Sequence, residues 1–137
     1  MKEFILTSPL LNGFLKFGYD DKGNLIHYDN KATLTELQEG FLYHPETFPL
    51  KTSQLQKFAG KKGKIDEVSS LNFDRFWEEY GYKKGKLKAE IEWYKLTKEE
   101  WAKAIIKIKS YKYNCYTKGI EMIYPERYLK HKRFNDE

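Results

Sequence analysis

The chain has 137 residues, of which 40% are hydrophobic, 17% aromatic and 33% charged; this suits one compact domain or two very small subdomains sharing a core. No apolar run approaches the roughly 20 residues of a bilayer span, the opening Met1-Lys2-Glu3-Phe4-Ile5-Leu6 is no signal peptide, and the lone Cys115 rules out an internal disulfide and fits a reducing compartment, so a cytoplasmic protein with no membrane partner is expected. The formal net charge is +5, yet residues 1–70 hold nine Lys against nine Asp or Glu, so the whole excess lies in residues 71–137, where sixteen Lys or Arg face eleven Asp or Glu.

The first predicted elements are strands. Phe14, Lys16 and Gly18 alternate with Leu15, Phe17 and Tyr19, the two-residue period of a half-buried strand. Leu25-Ile26-His27-Tyr28 is a second β-prone run. Between them, Asp20-Asp21-Lys22-Gly23-Asn24 supplies residues that tolerate a tight connection, which predicts a hairpin. Phe4-Ile5-Leu6 adds a candidate third strand. A helix follows, capped by Thr33 or Thr35, with Thr33 and Glu36 at capping-box spacing. Its Leu34, Leu37, Phe41 and Leu42 fall near one face. Pro45 and Pro49 interrupt regular structure. A short helix from Thr52 or Ser53 through Leu55 and Phe58 ends at Gly60. Gly60-Lys61-Lys62-Gly63-Lys64 and the following residues to Ser70 read as a linker. The boundary between an N-terminal α+β subdomain, residues 1–70, and a helical module, residues 71–137, falls there.

The second half reads as helices. Asn72 caps a first one carrying Phe73, Phe76, Trp77 and Tyr80 at i, i+3, i+4, i+7, and Gly81 stops it. A second runs from about Lys86 to Leu96, with Leu87, Ala89, Ile91, Trp93, Tyr94 and Leu96 broad enough to be buried on most of one side. Thr97 and Glu100 form a capping box that opens a third, in which Trp101, Ala104, Ile105, Ile108 and Tyr111 keep the helical period. The chain turns after Cys115-Tyr116-Thr117-Lys118-Gly119. Ile120 to Tyr124 is short and apolar, and Pro125 opens a last helical turn through Tyr128 and Leu129. The expected fold class is α+β: an N-terminal hairpin or small antiparallel sheet with one or two helices, then a C-terminal three-helix module.

The stretch from Phe73 onward resembles a module at the C-terminus of phage-encoded replication-associated proteins. The residues that carry the resemblance are Phe73-x-x-Phe76-Trp77-x-x-Tyr80, Lys83-Lys84-x-Lys86, Trp93-x-x-Leu96-Thr97, Tyr124-Pro125-x-x-Tyr128-Leu129 and the closing Phe134-Asn135-Asp136-Glu137. The chain departs from the pattern at Gly81, where the module has Pro, and at Phe134, where it has Trp. The resemblance implies a phage or prophage context within a host cell and names no chemistry.

Charge asymmetry between halves is a hint of a polyanion partner. Lys83, Lys84, Lys86 and Lys88 cluster at the start of the second helix. Lys103, Lys107, Lys109 and Lys112 line the outer side of the third. Arg127, Lys130, Lys132 and Arg133 crowd the last turn. Such side chains neutralise phosphates, and exposed Tyr stacks on bases; binding requires that the groups converge. The alternative reading is a solvated face held by pairs such as Glu99 and Lys103 at i, i+4. Trp77, Trp93 and Trp101 read as core rather than as a stacking set. Catalytic motifs are absent: there is no Gly-x-Ser-x-Gly, His-Glu-x-x-His or Cys-x-x-Cys, and Gly60-Lys61-Lys62-Gly63-Lys64 lacks the phosphate-loop spacing. His27, His44 and His131 are scattered, and Glu90 and Glu92 point to different sides of a helix. No enzyme activity, cofactor or metal is expected. The two functional expectations are a nucleic-acid-binding accessory protein of phage replication, DNA favoured, and a phage-encoded inhibitor or adaptor of host machinery such as an anti-CRISPR, with a host or phage protein as partner.

Overall fold

The computed structural model describes residues 1–135, so Asp136 and Glu137 of the resemblance lie outside the described residues. The chain forms two compact units, Met1–Ser69 and Ser70 onward. The class is α+β: a four-stranded antiparallel sheet, then helices.

In the first unit the two-residue alternation becomes sheet. Strands β1 (Lys2–Thr7), β2 (Asn12–Tyr19), β3 (Leu25–Thr33) and β4 (Lys64–Glu67) lie in the order β3-β2-β1-β4. Asp20 shapes the β2–β3 hairpin: its carboxylate accepts from the Lys22 and Asn24 N–H groups at 2.9 and 2.8 Å. These bonds, the Asn24 N–H first, hold its carboxyl below the usual range. Gly23 takes φ 80° in the same turn. Leu6, Leu15, Phe17 and Tyr19 share one face and pack with Leu55, Phe48, Phe58 and Ile65. The buried Tyr19 hydroxyl donates to the Pro49 carbonyl at 2.9 Å.

Three expectations in this unit are corrected. The segment from Gly60 to Ser70 is not a free linker: β4 pairs with β1 through Phe4 opposite Glu67 to Thr7 opposite Lys64. Thr33 ends β3, and the capping box of helix α1 (Glu36–Leu42) is made by Thr35 with Gln38. Of the apolar residues of α1, only Leu42 packs against the core, and Leu37 and Phe41 are each 73% exposed. The short helix α2 (Leu55–Ala59), entered through a 3-10 turn at Thr52–Gln54, ends at Gly60 as its sequence suggests.

The second unit is helical, with more helices than three: α3 (Phe73–Tyr80), α4 (Lys86–Tyr94), α5 (Lys98–Ile106), α6 (Ile108–Lys118) and α7 (Pro125–Lys130). The expected third helix divides at Lys107, with Ile105 and Ile108 buried on either side of the break. The Asn72 side chain caps α3, and Gly81 closes it at φ 79°. The module of the resemblance has Pro here, whose fixed negative φ cannot occupy that conformation.

Aromatic rings form this core. Phe76, Tyr80, Trp93, Tyr128 and Phe134 are each buried. Trp93 and Trp101 stack at 5.4 Å with planes 3° apart, and the Trp101 indole N–H donates to the Trp93 carbonyl at 2.7 Å. Trp77 is buried as well. Of the apolar residues of α4, however, only Ala89 and Trp93 face inward; Leu87, Ile91 and Tyr94 are 79%, 59% and 65% exposed. No helix among the described residues is long and apolar enough to cross a membrane.

Candidate nucleic-acid interface

Two hydroxyls clamp the backbone just before α7. Tyr80 of α3 donates to the Ile123 carbonyl at 2.7 Å, and the Tyr111 hydroxyl of α6 accepts from the Ile123 N–H at 2.9 Å. Burial first, and then the neighbouring Tyr111, push the Tyr80 hydroxyl well above the ordinary tyrosine range; burial also raises Tyr111. Buried neutral hydroxyls that hold a backbone segment fix its register. The segment so fixed delivers Tyr124 and then Pro125, the first residue of α7. Inside α7, buried Tyr128 donates to the Ala104 carbonyl at 2.8 Å, and Leu129 is fully buried.

The start of α4 lies beside the start of α7. Lys84, Gly85, Lys86, Leu87, Lys88, Tyr124 and Glu126 line an open, shallow concavity of about 520 Å³. The Tyr124 ring meets the Tyr82 ring at 5.6 Å in a T-shaped pair, and the Arg127 guanidinium stands over it at 5.8 Å. Three lysines of the first basic group therefore share the concavity with Tyr124, and one arginine of the third, outside the lining, stands over that ring.

The α4 start is built against helix preference. Gly85 at its N-cap has φ 69° and contributes no side-chain cap, and the first turn holds no acidic residue. Lysines there oppose the positive end of the helix dipole at a cost of about 0.3–1 kcal/mol each. Glu126, in the first turn of α7, does follow the dipole rule.

The other candidate residues are distributed differently. Lys83 pairs with Glu78 at 2.8 Å and so braces the α3–α4 turn. Lys103, Lys107, Lys109 and Lys112 do not share the outer side of one helix: the break at Lys107 separates them, and Lys103, Lys107 and Lys112 are half-buried. The Lys112 ammonium donates to the Glu79 carbonyl near the end of α3, a C-terminal capping role. Lys132 pairs with Glu100 at 2.9 Å, and this bond, with the Thr97 N–H, holds the Glu100 carboxyl below its usual range. Lys130 and Arg133 are exposed and, like the α5–α6 group, are not part of the concavity's lining. Leu87 and Tyr124 also line the concavity, and neither is among the cations that the sequence singled out. The signal for Leu87 was its place between Lys86 and Lys88, flanked by charge on both sides. Among the described residues no group of three or more His, Cys, Asp or Glu stands together as a metal site.

Residues 68–132 match the family described as the Legionella vir region protein LvrA C-terminal domain. That is just under half of the chain, and it overlaps most of the stretch that resembles the phage modules. The second unit is thus similar to a domain of a bacterial vir-region protein. No curated protein and no solved structure matches the chain.

Proposed function

We propose that this protein is a non-enzymatic nucleic-acid-binding accessory factor of a phage or other mobile element, with its binding face at the α4–α7 concavity. The observation that carries the reading is the convergence of Lys84, Lys86 and Lys88 on a concavity that Tyr124 also lines, with the Arg127 guanidinium over the Tyr124 ring. Lys neutralises phosphate as a point charge and reads no base edge, so binding is sequence-tolerant. The vir-region name of the matched family and the resemblance to phage replication modules support a mobile-element setting. DNA of the replicating element is the favoured partner.

The test is fluorescence anisotropy with a labelled oligonucleotide. Wild type binds with Kd in the non-specific range of roughly 10⁻⁴ to 10⁻⁶ M at physiological salt. The triple reversal Lys84→Glu, Lys86→Glu, Lys88→Glu abolishes binding under those conditions. The control reversal Lys61→Glu, Lys62→Glu, at two exposed lysines of the first unit, leaves it nearly unchanged. Equal losses in both variants reduce the binding to bulk charge and reject the reading.

A second reading, an inhibitor or adaptor of host proteins, draws support from α1, where Leu37 and Phe41 stand exposed one helical turn apart. Capture from host lysate that survives nuclease treatment and is lost in Leu37→Asp, Phe41→Asp favours it; capture that nuclease abolishes disfavours it.

A further inference from the structure

The concavity is not a plain cationic strip. Between its lysines lie Leu87, 79% exposed, and Tyr124, 45% exposed. Exposed apolar surface among cations adds nothing to phosphate binding. A duplex presents phosphates and base edges to its surroundings, with its base faces stacked away. A single strand offers those faces, and aromatic platforms bordered by cations take them in any sequence. Tyr124 is suited to be such a platform, because Ile123 next to it is clamped on both its N–H and its carbonyl, and Tyr82 packs on its ring. A platform already held loses little freedom when a base lands on it.

Resting on the nucleic-acid reading above, we propose that this surface takes single-stranded nucleic acid, with an unstacked base on Tyr124 and Leu87 and its flanking phosphates on Lys84, Lys86 and Lys88. Arg127, whose guanidinium stands over the Tyr124 ring, adds a second planar group for stacking. Glu126 is the acidic member of the lining. Its carboxylate repels phosphate, so Glu126→Gln strengthens binding of every polyanion alike.

The experiment uses the full chain and three probes at about 50 mM salt, where weak electrostatic complexes still form: an oligothymidylate of about 12 nucleotides, within the span of known single-strand sites, a blunt duplex of equal length, and inorganic polyphosphate. Single strand binds about tenfold tighter than duplex. Tyr124→Ala weakens single-strand binding about tenfold, the worth of one stacked base, and leaves duplex and polyphosphate unchanged, while Tyr124→Trp retains it. Leu87→Ser, which adds no charge and stands at a position 79% exposed, gives the same selective loss should Tyr124→Ala disturb folding. An oligouridylate bound as well as oligothymidylate extends the same chemistry to RNA and supports the inference. Duplex bound as tightly as single strand, or Tyr124→Ala and Leu87→Ser weakening all three probes equally, overturns the inference and leaves the parent reading standing. Absence of binding to all three overturns both.

Discussion

Trp93 is 1% exposed and lies flat against Trp101, whose indole N–H is bonded to the Trp93 carbonyl. Trp93→Ala removes a buried ring and costs about 3–5 kcal/mol. Trp101→Phe keeps most of the stacked area and loses one hydrogen bond, about 1 kcal/mol. Urea denaturation of both variants checks the order; equal costs would mean that the ring pair does not organise the second unit's core. Tyrosines give a pH test. Burial pushes the Tyr19 hydroxyl up to about 12 and lifts Tyr80 and Tyr111 in the same direction. The unfolded chain ionises them at about 10. Their contribution to stability is therefore complete below that pH and is lost as pH rises through the folded values. In a titration followed by tyrosinate absorbance, the signal of these three rings should appear only as circular dichroism reports unfolding. Ionisation of all eleven tyrosines in one transition with its midpoint at about pH 10, with the fold intact, would contradict this. At this scale the tryptophan core was legible because Trp77 and Trp93 sit at helical spacing among apolar residues. Leu87 was not: its i+4 and i+7 neighbours Ile91 and Tyr94 continue an apolar stripe, and periodicity alone cannot say whether a stripe is covered.

Caps and turns carry the element scale. The Thr97 hydroxyl accepts from the Glu100 N–H at 3.2 Å, and the Glu100 carboxylate accepts from the Thr97 N–H at 3.1 Å while holding Lys132. Thr97→Ala costs about 1 kcal/mol, read as a lower unfolding midpoint with an unchanged m-value; no change would show that Lys132 alone holds Glu100 in place. This box, the Asn72 cap, the Gly81 stop and the Asp20–Asn24 turn were all legible, because each is made by residues within four positions of one another. β4 was not. Lys64-Ile65-Asp66-Glu67 has little strand propensity, and its pairing depends on β1, some 60 positions earlier in the chain. The division between α5 and α6 was hidden for a related reason: no Pro or Gly marks Lys107, and the apolar period runs through it.

On the scale of the whole molecule, charge asymmetry pointed to the second half but overstated its face. Of twelve candidate cations, Lys83 and Lys132 are committed to ion pairs and Lys112 to a helix end. What the fold brings together is Lys84, Lys86 and Lys88 with Tyr124, over whose ring Arg127 stands. That meeting depends on α7 returning to the start of α4 about 40 positions later, which no local pattern encodes. Because binding is proposed to rest on released counterions, its dependence on salt measures how many phosphates the face engages. The most direct test is therefore the slope of log affinity against log salt for a labelled oligothymidylate, in wild type and in the Lys84→Glu, Lys86→Glu, Lys88→Glu variant at the lowest salts where it still binds. Three phosphate contacts on a single strand correspond to about 2 units of slope, so the variant's line should be flatter by at least that amount and lie below the wild-type line throughout. Parallel lines of equal height would contradict the assignment of the face.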